Sequence, residues 1–388
     1  MKRLYSISMS VLILFSCQDK SDKGQGVISD QESNAFFTIE LESTVEQTKQ
    51  LVNLSEIANA VEYIYLDNHD GKELGSIRDI HFTDRYVFIS HRNNTLLTQY
   101  DRDGKFIRSI GKKGEGNGAY SLLSSFDVNC KDELIYIKPV RKNNILVFDF
   151  SGNYIETINL ADDIFFSFRW INDSSFIFFA EPIKGYEKYI FWEKGSEGDL
   201  RNFIKNYITW DESESTYNTR DYDRTVFYRL NDKLHLKGWY NDTVYTYTNM
   251  HTLVPKYFID FGKYKLPEEL IIERNPKKFS DKHLWYSAQE SNRFVFVRYS
   301  SFFPIDTLST RGEHIYYDKI TQKSVALKST DRVYGFKNDL DNGPNFTPQF
   351  IRDSMAYHIF HTADSTPSED KKGAKQEKTI LMTVKLKD

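Results

Sequence analysis

Cysteine is nearly absent from this chain. Cys17 and Cys130 are the only two in 388 residues, which excludes a disulfide framework and any multi-cysteine metal centre. Positive charge is not concentrated anywhere. Lys and Arg number 51 against 55 Asp and Glu, a formal net charge of −4, and no basic block argues for nucleic acid as the main partner. Long amphipathic helical patterns are missing, and no apolar run reaches the ~20 residues needed to cross ~30 Å of hydrocarbon. No His-Glu-x-x-His sequence is present, and no Ser/His/Asp or Cys/His order stands out, so no catalytic residue and no cofactor is expected. What the chain has in excess is aromatic side chains, with 29 Phe and 25 Tyr. That content excludes disorder, and the length allows one large domain or two to three ordinary ones.

The amino terminus reads as an address. Lys2 and Arg3 precede an apolar run from Leu4 to Phe15 diluted by serines. The run is too short to span a bilayer and has the form of a secretory signal. Leu14-Phe15-Ser16-Cys17 resembles the bacterial lipobox, with Phe15 in place of the smaller residue usual there. The resemblance implies residues 1–16 as a lipoprotein signal peptide, cleavage before Cys17 and lipidation of Cys17, so the membrane is a partner through its lipid anchor. Two or more acyl chains give stable anchoring, whereas one is marginal. Residues 17–34 then form the lipidated cysteine and a polar tether with no apolar face. The acidic start of the tether, Gln18-Asp19-Lys20-Ser21-Asp22, resembles the surface-export signal of Bacteroidota lipoproteins, leaving the periplasmic and surface sides of the outer membrane both open. Cys130, beside an apolar run, is expected to be buried and inert.

From residue 35 to residue 388, short Val/Ile/Phe/Tyr runs recur between Asp, Asn and Gly, the pattern of strands joined by turns. One period is explicit. Asp79 and Asp127, Asp84 and Asp132, Asp101 and Asp149, and Gly104 and Gly152 are each separated by 48 residues. A four-stranded unit of about this length is one propeller blade. Asp101-Arg102-Asp103-Gly104 and Asp149-Phe150-Ser151-Gly152 are expected as hairpin turns, Asp accepting from backbone N–H groups and Gly taking positive φ. Weaker copies beginning near Asp173, Asp232, Arg293 and Val333 bring the count to six. The predicted fold is therefore all-β, a six-bladed β-propeller of four-stranded antiparallel blades, closed by pairing of the N- and C-terminal strands. The early strands 36–41 and 61–66 are both expected to complete the last blade, because closure removes exposed sheet edges.

At LSEIANAVEYIYLDN (54–68), YDRDGKFIRSIGKKGEGNGAY (100–120), NDTVYTY with VPKYFIDFG (241–262) and FKNDLDNGPNFTPQFI (336–351), the sequence resembles the six-bladed β-propeller lipoproteins of Bacteroidota, related at fold level to NHL-repeat and TolB-like propellers. Gly116-Asn117-Gly118-Ala119-Tyr120 stands where that family usually has Gly-Pro-Gly-Glu-Tyr. The resemblance implies a binding or scaffold module in the cell envelope, with a protein or glycan partner.

Candidate contact residues follow from the repeat. The glycine-rich 111–118 segment, with Lys112 and Lys113, could cradle an anion or simply connect two blades. Asp79 and Asp127 fall on strands that line a propeller channel, with Arg78 and Arg169 near the same axis. They could hold a divalent cation, or serve as a repeated joint to backbone N–H groups of the next blade. An alternative function, a metal-assisted hydrolase or lyase, would use that channel. His358 and His361 fall on opposite faces if they lie in a strand, so no zinc site is expected. Trp239-Tyr240, before a turn, and Trp285, in a loop helix following Pro267, are candidate partner-contact aromatics.

Overall fold

The computed structural model describes residues 36–388 except 69–73, 76, 92–95, 141, 161–164, 166, 173–174, 181–186, 196–198, 210–226, 239–240, 249–251, 268–283, 302–311, 329–334 and 362–377. The signal segment, Cys17, the tether, Trp239 and Tyr240 lie outside the described residues.

Two strands precede the first blade, β1 (Phe37–Glu40) and β2 (Ala58–Leu66). Blade one is β3 (Ile77–Phe82), β4 (Tyr86–His91), β5 (Leu97–Asp101) and β6 (Phe106–Ile110). Blade two is β7 (Leu123–Asn129), β8 (Leu134–Pro139), β9 (Asn144–Asp149) and β10 (Tyr154–Asn159). Blade three is β11 (Ser167–Asn172), β12 (Ser175–Phe179), β13 (Tyr189–Gly195) and β14 (Leu200–Lys205). Blade four is β15 (Phe227–Leu230), β16 (Lys233–Lys237), β17 (Thr243–Tyr247) and β18 (Leu253–Asp260). Blade five is β19 (Leu284–Glu290), β20 (Phe294–Ser301), β21 (Glu313–Asp318) and β22 (Lys323–Ala326). Blade six is β23 (Phe350–Arg352), β24 (Met355–His361) and β25 (Thr379–Leu386), completed by β2. Each blade is an antiparallel meander, and together they form a six-bladed β-propeller.

Closure uses only one of the two early strands. β2 pairs antiparallel with β25 from Ala58↔Leu386 to Leu66↔Thr379, supplying the outer strand of blade six from the opposite end of the chain. β1 does something else. It adds parallel to β18 as a fifth strand on blade four, from Phe37↔Tyr257 to Glu40↔Asp260. Its Ile39 is fully buried, and Phe37 stacks on Tyr257 at 5.3 Å. The expectation that 36–41 closes the ring is therefore corrected: the FTIE strand is apolar enough to pair, but its register belongs to another blade. Blades three to five also begin one strand earlier than the copies in the sequence suggested, because their inner strands carry the weakest repeat signal.

The aromatic surplus fills the gaps between blades. Six apolar clusters are present, one at each interface around the ring: Phe88, Phe126 and Phe148 between blades one and two, Phe168, Phe176 and Trp192 between two and three, Phe179, Phe191 and Phe227 between three and four, Tyr228, Tyr257 and Tyr286 between four and five, Phe294, Phe336 and Phe346 between five and six, and Phe82, Tyr100 and Tyr357 between six and one. Rings of this size suit the wedge between radiating sheets, each full burial contributing about 2–3 kcal/mol.

The hairpins behave as the Asp-Gly spacing predicts. Asp101 Oδ1 accepts from the backbone N–H of Asp103 and Lys105 at 3.1 and 2.8 Å, and Asp149 Oδ1 accepts from Asn153 at 2.8 Å. Gly104 sits at φ +89°, where a Cβ would lie 2.3 Å from the Tyr65 carbonyl oxygen of β2. Only glycine lets this turn rest against the closing strand.

Candidate functional site

The first strand of every blade lies at the hub, and side chains there stitch each blade to the next. Asp127 of β7 accepts from its own neighbour Val128 N at 3.0 Å and from Trp170 N of β11 at 2.7 Å. Arg229 of β15 donates back to Trp170 O at 2.9 Å. Asn231 Nδ2 donates to Asn292 Oδ1 at 3.0 Å, linking blades four and five. Gln289 Oε1 of β19 accepts from Ile351 N of β23 at 2.8 Å, and Arg352 of β23 donates to Phe82 O of β3. His81 Nδ1 of β3 lies 3.3 Å from Asp127 Oδ1, returning the circuit to blade two.

Some contacts skip a blade, which only residues at the axis can do. Arg169 of β11 donates to Asp79 Oδ2 of blade one at 3.0 Å and to Phe126 O of blade two at 3.4 Å, while its guanidinium sits 5.3 Å from the Phe227 ring of blade four. Asn231 N donates to Asp353 Oδ1 of blade six at 2.7 Å. His81, Arg229 and Arg352 all lie within two residues of the turn that ends their strand. They therefore occupy one end of the channel, called here the turn end.

Electrostatics at this end are set by burial and arginine. Burial pushes His81 well below the ordinary histidine range, and Arg169, Arg352 and Arg229 push the same way, so His81 is neutral at physiological pH. Burial raises the Asp79 carboxyl, opposed first by Arg169. Cys130, in the turn after β7, is exposed rather than buried as expected, because the apolar run beside it ends before the turn. Partial burial of its sulfur raises the thiol pKa nonetheless, which makes it a poor nucleophile.

The predicted contact residues separate into two groups. Arg169 is part of the hub. Arg78 is half-buried on the same inner strand as Asp79. Lys112 and Lys113 are exposed in the connection between blades one and two, at the opposite end from the turns, since each meander carries its fourth strand back up. Gly111, Gly114, Gly116 and Gly118 of that connection all have positive φ, and Tyr120 anchors it, its hydroxyl donating to Ile110 O at 2.7 Å. Trp285 lies in β19, not in a loop helix; the alternation LWYSAQE is that of an inner strand. His358 lies in β24 beside blade five, its Nδ1 accepting from Thr347 N at 3.3 Å. Of the repeated pair, Asp127 is the interblade joint that its spacing suggested, while Asp79 takes Arg169 instead. Among the described residues no group of three His, Cys, Asp or Glu could hold a metal ion. Sequence reasoning did not find His81, Arg229 and Arg352, since none recurs at the 48-residue spacing.

A closed six-bladed propeller with a polar, arginine-bearing hub is thus the class of protein defined here. The chain belongs to the family described as Domain of unknown function (DUF4934), which matches residues 36–387. None of the curated proteins matches it. Among solved structures it is similar to a Bacteroides fragilis protein described as a "Putative exported protein", at 16% identity and a TM-score of 0.66 over 91% of this chain and 100% of that one. It is also similar to a DUF4221 family member from Bacteroides vulgatus, at 11% identity and a TM-score of 0.52 over 85% of this chain and 98% of that one. These likenesses are of fold.

Proposed function

We propose that this protein is a lipid-anchored binding module of the cell envelope, related to NHL-repeat and TolB-like propellers, that holds a protein or glycan partner at the turn end of its hub without catalysing a reaction. The observation that carries the reading is that His81, Arg229 and Arg352, from three blades, all lie beside the turns at one end of the channel, where Asn231 N of blade four donates to Asp353 Oδ1 of blade six at 2.7 Å and Arg352 donates to Phe82 O of blade one. A ring fixed by six interblade cores holds such groups in place with little to reorganise on binding. The lipobox at Cys17 and the tether to residue 34 support an outer-membrane anchor, and the description of the Bacteroides fragilis relative as exported supports an extracytoplasmic address.

The test is cross-linking in detergent extracts of the native envelope, followed by mapping of the linked peptides. The reading expects links at residues 83–85, 130–133, 231–232 and 353–354. A protein that stays solitary, with no cross-link and no thermal shift from a panel of envelope glycans, contradicts it.

A further inference from the structure

Arg229 and Arg352 have hydrogen-bonding capacity that the described residues do not use. Each is half-buried, and among the described residues each donates to a single backbone carbonyl, Trp170 O and Phe82 O respectively. Neither has a carboxylate oxygen within 4.0 Å among those residues. A guanidinium carries five N–H donors in a planar fork, so among the described residues most of the donors on both have no partner.

Three nearby acids already accept hydrogen bonds elsewhere. Asp79 accepts from Arg169 and from Ile80 N. Asp127 accepts from Val128 N and Trp170 N, and Asp353 accepts from Asn231 N. Asp84 is exposed in the turn after β3. The two arginines also lie close together, because Asn231 N, two residues past Arg229, donates at 2.7 Å to Asp353 Oδ1, one residue past Arg352, and Arg352 itself donates to Phe82 O beside His81. Withdrawing a cation from water without a counter-charge is costly. A ligand that supplied the charge would recover that cost, and a planar fork matches the geometry of a carboxylate or sulfate.

We propose that Arg229 and Arg352 together bind an oxyanion group, a carboxylate or a sulfate or phosphate, of the ligand taken at the turn end of the hub. The inference rests on the binding-module reading above and adds the chemical class of what is bound. It makes the two arginines specificity residues, separate from Lys112 and Lys113 at the other end.

The experiment is calorimetric titration of the intact, detergent-solubilised protein with three probes: glucuronate, glucose and inorganic sulfate. Glucuronate is expected to bind, glucose to bind at least about ten times more weakly, and added salt to weaken glucuronate. Arg229→Gln and Arg352→Gln are each expected to weaken glucuronate about tenfold, the loss of one charged hydrogen-bonding partner. A Lys112→Gln/Lys113→Gln double variant should bind as the unaltered protein does. Because both arginines also join blades, a second measurement uses the unaltered protein. Phenylglyoxal labelling read by peptide mass spectrometry should slow at Arg229 and Arg352 when glucuronate or sulfate is present. Protection by sulfate but not glucuronate supports the clamp and assigns it to an inorganic oxyanion. Equal labelling with and without both anions overturns the proposal. Glucose and glucuronate binding alike, with both variants unaffected, also overturns it while leaving the binding-module reading standing.

Discussion

A disulfide across the seam would test the closure of the ring. Glu62 of β2 and Thr383 of β25 are directly registered partners, and Thr383 Oγ1 donates to Glu62 O at 3.3 Å. Replacing both with cysteine, with Cys130→Ser to prevent mispairing, would close a loop of 383 − 62 + 1 = 322 residues. In the chain-entropy treatment a loop of that size stabilises by about 6 kcal/mol at 25 °C, and engineered bridges typically deliver about 2–4 kcal/mol. Loss of the Thr383 hydroxyl bond offsets about 1 kcal/mol. With an unfolding entropy of about 0.7 kcal/mol/K for a domain of this size, the remaining ~1–3 kcal/mol raises Tm by about 1–4 °C. Calorimetry with and without reductant measures the difference directly. Failure of the thiols to oxidise, or a Tm indifferent to reduction, would show that β2 and β25 are not paired ends of one ring.

Truncation separates the two early strands. A chain beginning at residue 48 loses β1 and should remain a monomeric propeller weakened by a few kcal/mol, chiefly from exposing Ile39 and Leu41 contacts. A chain beginning at residue 67 leaves the β25 edge open and should aggregate; gel filtration distinguishes them. Acid should destabilise the fold. Burial holds His235 and His314 at about 3, so the unfolded chain takes up protons first, and stability falls as pH drops from about 6.5 to 3 with a slope of at most about 2.7 kcal/mol per unit for the two. Glu290 extends the loss: Lys319 and Lys256 hold its carboxyl at about 2 against the opposing effect of burial, and its contribution disappears between about pH 4.5 and 2, as urea midpoints across pH would show. Lys138 is buried over the Phe165 ring at 4.5 Å, and burial lowers it to about 8. Stability should therefore rise with pH between about 8 and 10.5, by at most about 1.4 kcal/mol per unit, and Lys138→Met should abolish that slope.

The parts of the fold written in the sequence are those that repeat. Asp101, Gly104, Asp149 and Gly152 mark hairpins because a turn of that shape has few chemical solutions, and their 48-residue spacing gives the blade. β2 was legible as a closing strand because VEYIYL has no partner nearby in sequence. β1 was not, since a four-residue strand pairs wherever long-range packing offers an edge, here the stack of Phe37 on Tyr257. The hub was half legible. Asp127 recurs with Asp79, but equal spacing does not give equal partners: Asp127 meets the next blade's backbone while Asp79 meets Arg169. Arg229 and Arg352 carry no local signal, because only the ring brings blades four and six to the same axis.

The most direct test of the account is hydrogen–deuterium exchange on the intact protein, alone and with the partner captured by cross-linking. The account predicts slowed exchange at residues 81–85, 130–133, 229–232 and 352–354, drawn from blades one, two, four and six at once. Slowing confined to the 111–118 connection, or to the outer strands of the blades, would contradict it.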